Sequence, residues 1–145
     1  MKNKALSFDE LNVGDHLPVL STNKISRTTL ALYAGASGDF NPIHIDIDFA
    51  KSAGLDDVFA HGMLSMAYLG RLLTNWVDQR SIESIDVRFT SITPVNAQVV
   101  CTGYIQEKSI IDEQEIIKVH IEAQDANTGD IKITGVATIN LTKNH

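Results

Sequence analysis

Apolar and polar positions change rhythm partway along the chain. Between Ser26 and Asn75 the apolar residues come at helical spacing or in solid blocks, and between Ile82 and Leu141 they alternate. Residues 8–20 read as a loop followed by a short strand, with Gly14-Asp15 as a turn. Ser26 is placed to cap a helix over RTTLALYAGAS, in which Leu30, Ala31, Tyr33 and Ala34 form one apolar side. Gly35, Ser37 and Gly38 stop it. An irregular stretch follows, DFNPIHIDIDFAKSAGLDDVFAHG. In it Pro42 pushes Asn41 away from helical backbone, Asp48 is placed to cap a short helix FAKSA, and Gly54 ends that helix. From His61 to Asn75 the run HGMLSMAYLGRLLTN is apolar on nearly every face, a helix about 22 Å long. A helix of that kind belongs in an interior.

The second half reads as strands. Ile85, Val87 and Phe89 alternate within Ile82–Phe89, and Pro94 breaks the run. Strands follow over Ala97–Gln106, Glu115–Gln124 and Ile131–Leu141, separated by turns at Asp112-Glu113 and Asn127-Thr128-Gly129-Asp130. Val119, Ile121 and Ala123 alternate with His120, Glu122 and Gln124, as in a sheet with one wet face. Helices first and strands afterwards predict an α+β fold, with an antiparallel sheet wrapped around the buried helix.

Composition narrows the function classes. A chain of 145 residues is expected to form one domain over 1–145, large enough to bury a core without staples. The single cysteine, Cys101, excludes an intrachain disulfide and a zinc site built on several cysteines, and suits a cytoplasmic setting. No apolar run reaches the roughly 18 residues of a membrane span, and MKNKALSFDELNVGD carries no apolar leader segment. The net charge is −6 with the cations scattered, which argues against a nucleic-acid partner. An anionic small ligand needs only a few local cations, for which Lys51, Arg71 and Arg88 are candidates, two of the three expected to be merely solvated or paired.

The strongest candidate for chemistry is Asp39-Phe40-Asn41-Pro42-Ile43-His44. In a regular helix Asp39 and His44 would point about 140° apart. Pro42 disfavours that helix, and a turn can bring both toward one pocket. A carboxylate and an imidazole that share a water can take its proton and supply one, with Asn41 orienting the water or a carbonyl. The plainer reading has Asp39 and Asn41 making Asx turns and His44 on the surface, and on residue types alone it carries slightly more weight. In Ala60-His61-Gly62-Met63, Gly62 falls at the start of the long helix, where free N–H groups favour negative charge and a missing side chain lets a substrate approach. An enolate oxygen can be held there. The plainer reading is a simple helix start with His61 packed on the sheet. Gly70, inside the same helix, points to something packed close, either a neighbouring element or a ligand chain, the former being the commoner cause. His44, His61, Asp39 and Asp46 can each supply a metal ligand, but without a recognisable ligand spacing no metal is expected. Cys101 lies in a strand without a local base and reads as structural.

Taken together, these segments resemble the MaoC-like dehydratases, the R-specific enoyl-CoA hydratase family. Asp39 to His44 is similar to that family's D-x-N-P-x-H motif, and Ala60-His61-Gly62-Met63-Leu64 to the A-H-G-M-L that opens its central helix. Val87-Arg88-Phe89 followed by Pro94-Val95 adds to the likeness, which runs from about Phe8 to Leu141. One departure is Asn96-Ala97, where family members often have Gly-Asp. The resemblance implies a hotdog fold, a long helix wrapped by an antiparallel sheet. It implies a homodimer with active sites near the interface, or else a higher oligomer or heterodimer. It implies catalysis by Asp39 and His44 with Asn41 as helper, an oxyanion donor at the Gly62 N–H, and an acyl pocket at Gly70 and Leu73. No metal or redox cofactor is implied, since the substrate carries CoA or the phosphopantetheine of acyl carrier protein. The implied reaction is (R)-specific hydration or dehydration between trans-2-enoyl and (3R)-3-hydroxyacyl thioesters. The other readings are a non-catalytic or heterodimeric acyl-binding hotdog subunit and a hotdog thioesterase.

Overall fold

The computed structural model describes residues 6–144. The outermost residues of the expected 1–145 domain, including the first five of the N-terminal segment read as leaderless, lie outside them. In chain order the elements are β1 (Leu20–Lys24), α1 (Arg27–Ser37), α2 (Ile47–Ser52), β2 (Phe59–Ala60), α3 (Gly62–Thr74), β3 (Ile82–Phe89), β4 (Thr93–Pro94), β5 (Gln98–Ile111), β6 (Gln114–Asp125) and β7 (Ile131–Asn140). Five strands form one antiparallel sheet in the order β1-β5-β6-β7-β3, and β2 pairs with β4. The long helix α3 lies against β1, β5, β6 and β7. This is the expected α+β arrangement.

The core sits between α3 and the sheet. Alternation on β6 buries Ile117, Val119, Ile121 and Ala123 completely, and Leu69, Leu72 and Leu73 of α3 meet them from the other side. Such burial, at about 25 cal/mol per Å² of apolar surface, is what holds the layers together. Helix α1 starts and stops as its sequence predicts: Ser26 Oγ accepts from Thr29 N, and Gly38 ends it in the left-handed region at φ 75°. The Arg27 guanidinium grips both oxygens of Asp57 at 2.9 and 2.6 Å, tying the start of α1 to the loop before β2.

Three expectations are corrected, and one departure from the family pattern is resolved. The cap of α2 is Asp46, whose Oδ1 accepts from Asp48 N and Phe49 N, so the helix begins at Ile47 and Asp48 stands in its first turn. Strand β5 runs on to Ile111, beyond the Gln106 expected, because a bulge after Ile105 interrupts its alternation while the ladder with β6 continues to the turn. That turn has two residues, Asp112 and Glu113, both at positive φ, as a tight hairpin demands. Helix α3 is buried on one side only. Leu64, Ser65, Leu69, Leu72 and Leu73 face inward, whereas Met63 is 56% exposed and Ala67, Arg71 and Thr74 continue the open stripe. Finally, Asn96-Ala97 preserves a tight turn. Ala97 N donates to Pro94 O, and Asn96 takes φ 68°, a left-handed conformation that asparagine tolerates better than most residues.

Candidate active site

The chain between α1 and α2 turns on its own side chains. Asp39 N donates to Ser37 Oγ, Asn41 N to Asp39 Oδ1, and Ile43 N to Asn41 Oδ1. These are the Asx turns of the plainer reading, and they do not put His44 on the surface. Asn41 caps a single 3-10 turn, Pro42–His44, that drives His44 inward to 7% exposure. There its Nδ1 lies 2.7 Å from the Phe59 carbonyl oxygen of β2. A carbonyl only accepts, so Nδ1 carries the proton and neutral His44 offers its lone pair at Nε2. Nε2 faces Asp39 Oδ2 at 4.0 Å. Two acceptors at that separation fit one water donating to both, about 2.8 Å from each. The Asp39 side chain is half exposed, so the pair is reachable from solvent. The Asn41 side-chain oxygen is engaged by Ile43 N and serves the turn.

His61 joins the pair instead of packing on the sheet. Its ring stacks on His44 with centroids 4.0 Å apart and planes 30° apart, and it meets the Tyr33 ring edge-on at 4.9 Å. Its Nε2 donates to the Asp39 main-chain oxygen at 3.1 Å. Burial, with His44 beside it, holds the His61 ring below the ordinary imidazole range, against the pull of that hydrogen bond and of the Asp39 charge. Tyr33 is pushed up, first by burial and then by the Asp39 carboxylate. Asp39, His44 and His61 bring potential ligand atoms within 4.8 Å of one another, while Asp46 is occupied as a helix cap. The two rings, however, are stacked 4.0 Å apart, and His61 Nδ1 is buried with no partner among the described residues. That geometry suits proton transfer better than tetrahedral ligation.

One residue beyond His61, Gly62 opens α3, where an amide has no acceptor within the helix. A side chain here would press on the Phe89 ring, 3.1 Å from the position of a Cβ. Gly62 borders a cavity of about 300 Å³ lined by Phe59, Ser65, Phe89, Ile92, Thr93 and Lys132, among others. Lys132 is 5% exposed and spends its ammonium on Ile92 O and Asp130 Oδ2. Ser65, Ile92, Thr93 and Lys132 carried no sequence signal: Ile131 and Ile133 put Lys132 in the outward phase of the strand, and a register shift between β6 and β7 at this point accompanies its burial. Gly70 and Leu73 lie farther along α3, outside the lining of that cavity. Leu73 is fully buried in the core. A Cβ on Gly70 would meet nothing within 4 Å, so no neighbouring element of the described chain accounts for this glycine. Lys51, Arg71 and Arg88 are exposed on three different elements. Cys101 is fully buried and its thiol is pushed up to about 12 by burial, in keeping with a structural role.

Comparison with known proteins agrees with the motifs. Residues 12–127 match the family described as MaoC like domain. The fatty acid synthase subunit beta of Saccharomyces cerevisiae is 28% identical over 143 residues, 95% of this chain, which spans 7% of that protein's length. The (R)-specific enoyl-CoA hydratase of Rhodospirillum rubrum is 28% identical over 91% of this chain and 89% of its own length. The R-hydratase PhaJ1 of Pseudomonas aeruginosa superposes with a TM-score of 0.78 over 91% of this chain and 83% of its own, at 24% identity, which establishes the hotdog fold.

Proposed function

The chain belongs to the MaoC-like domain family, and on that premise we propose that it catalyses the reversible hydration of a trans-2-enoyl thioester to the (3R)-3-hydroxyacyl thioester. The observation that carries this reading is the facing of His44 Nε2 and Asp39 Oδ2 across 4.0 Å, with His44 Nδ1 tied to Phe59 O. A water between them donates to both. As its oxygen bonds to Cβ, one proton passes from the water to the pair. The C=C electrons move to the thioester, making an enolate whose oxygen the Gly62 N–H stabilises. The pair then returns the proton to Cα on the same face, and it ends as it began. The proton is assigned to the pair and not to one member. No metal or redox group enters, and the carrier is CoA or the phosphopantetheine of acyl carrier protein.

The protein acts as a homodimer in this reading. The open side of α3, the exposed Phe89 and Ile92 beside the cavity, and the edge position of β3 in the sheet support it. The test is loss of enoyl absorbance with crotonyl-CoA and a longer trans-2-enoyl-CoA, with chiral analysis of the product. Formation of the 3R alcohol is expected. No loss with CoA or acyl-carrier substrates would overturn the assignment, and release of free thiol would turn it toward thioester cleavage.

A further inference from the structure

We propose that His61 is a positioning residue that holds Asp39 by its main-chain carbonyl and His44 by the face of its ring. The inference deepens the reading above and rests on it. Each contact is directional. The His61 Nε2–H reaches Asp39 O at 3.1 Å, across 22 residues of chain. The stacked face restrains His44 from turning about its Nδ1–H bond to Phe59 O, as does the Phe59 ring standing edge-on at 4.9 Å. The Nε2 of His44 faces Asp39 Oδ2 at 4.0 Å.

The other nitrogen of His61 argues that the imidazole is there for its N–H. Nδ1 is buried with no hydrogen-bond partner among the described residues, an arrangement that costs stability and that an apolar ring of similar size avoids. A residue serving packing alone gains nothing from that nitrogen. The groups facing the His61 ring are Asp39, His44 and Tyr33, and with the ring buried between them it stays neutral, proton on Nε2. His61 also occupies the N-cap position of α3, directly before Gly62, with its side chain making no capping hydrogen bond. Its ring therefore holds the proton-transferring pair while its main chain leads into the first amide of the helix, so one residue joins both ends of the reaction.

The test combines ring-nitrogen NMR of the full chain with steady-state kinetics of His61→Phe and His61→Gln on crotonyl-CoA. In the wild-type protein His61 is expected to be neutral with its proton on Nε2 at about pH 7.5. His61→Phe keeps a stacking ring and loses the donor, and kcat is expected to fall about 10- to 100-fold with KM little changed. His61→Gln keeps an N–H within reach of Asp39 O and is expected to recover part of kcat. Wild-type turnover in His61→Phe, equal losses in both variants, or a proton on Nδ1 of wild-type His61 would each overturn the proposal. If His61→Phe does not fold, the wild-type nitrogen spectrum decides alone. Failure of the wild-type protein to hydrate any enoyl thioester would instead sink the functional reading, and the ring-nitrogen result would stand independently of it.

Discussion

The Phe59 carbonyl decides what His44 can do. By accepting Nδ1–H it fixes the tautomer, and the only remaining lone pair points at Asp39. Asp39→Asn leaves an amide oxygen for the turn to Asn41 N and removes the carboxylate from the proposed pair. It is expected to lower kcat about 10²- to 10⁴-fold with circular dichroism and melting temperature near wild type. Near-normal turnover would remove Asp39 from the mechanism. His61 adds a pH dependence to stability. Its folded pKa lies below the unfolded value of about 6.5, so below that pH the unfolded chain binds a proton the folded chain refuses. Stability is then full above about pH 6.5 and falls as the pH drops toward the folded value. The urea midpoint of the wild-type protein should decrease between about pH 7.5 and about pH 5.5, and His61→Phe should lose part of that slope. Identical slopes would refute it. The grouping of Asp39 and His44 was legible through the D-x-N-P-x-H resemblance, whereas residue types alone leaned toward plain Asx turns, which Asp39 and Asn41 do make. The partnership of His61 was not legible, because it is made across 22 residues by a ring whose neighbours only the fold assembles.

Among the glycines, Gly135 has the least room for a side chain, and it stands opposite Val87 in the β3–β7 ladder. A Cβ there would run into Asp86 O and lie 2.7 Å from Val87 Cα, both backbone atoms that cannot swing aside. Gly135→Ala is therefore expected to cost about 3 kcal/mol in denaturant unfolding, with β3 the first strand to lose amide protection. A change under about 1 kcal/mol would show that the strands separate easily. The turn after β4 gives a gentler case. Asn96→Ala puts a β-carbon residue with no local hydrogen-bonding group at φ 68° and should cost about 1 kcal/mol, whereas Asn96→Gly should be neutral or better. Elements with strong punctuation were readable: α1 between Ser26 and Gly38, and β3 over Ile82–Phe89. The far half of β5 was not, because past the bulge its side chains stand in solvent or lie only partly covered and leave no alternation to read.

At the scale of the molecule, the sequence of α3 asks for more burial than this chain supplies. Its composition predicts an interior helix, yet Met63 and Ala67 remain in the open. A second copy resolves the mismatch, in the assembly proposed above. Light scattering should give twice the 15.9 kDa of the chain, and Met63→Lys should shift that mass toward the monomer. A wild-type monomer at assay concentration would contradict the dimer. Of the acyl pocket expected at Gly70 and Leu73, the open side accounts for Gly70 alone, where an added Cβ would meet open space, whereas Leu73 is spent in the core.

Cys101 turns from a packing residue into an instrument. The chain has one thiol, fully buried and pushed up to about 12, so in the folded state it is nearly blind to disulfide reagents. A colorimetric thiol reagent mixed with native protein and an enoyl-CoA thus reports the substrate's sulfur alone, and hydration and thioester cleavage separate in a single cuvette. In denaturant the same reagent counts unfolded chains, one chromophore for each, without any label being added.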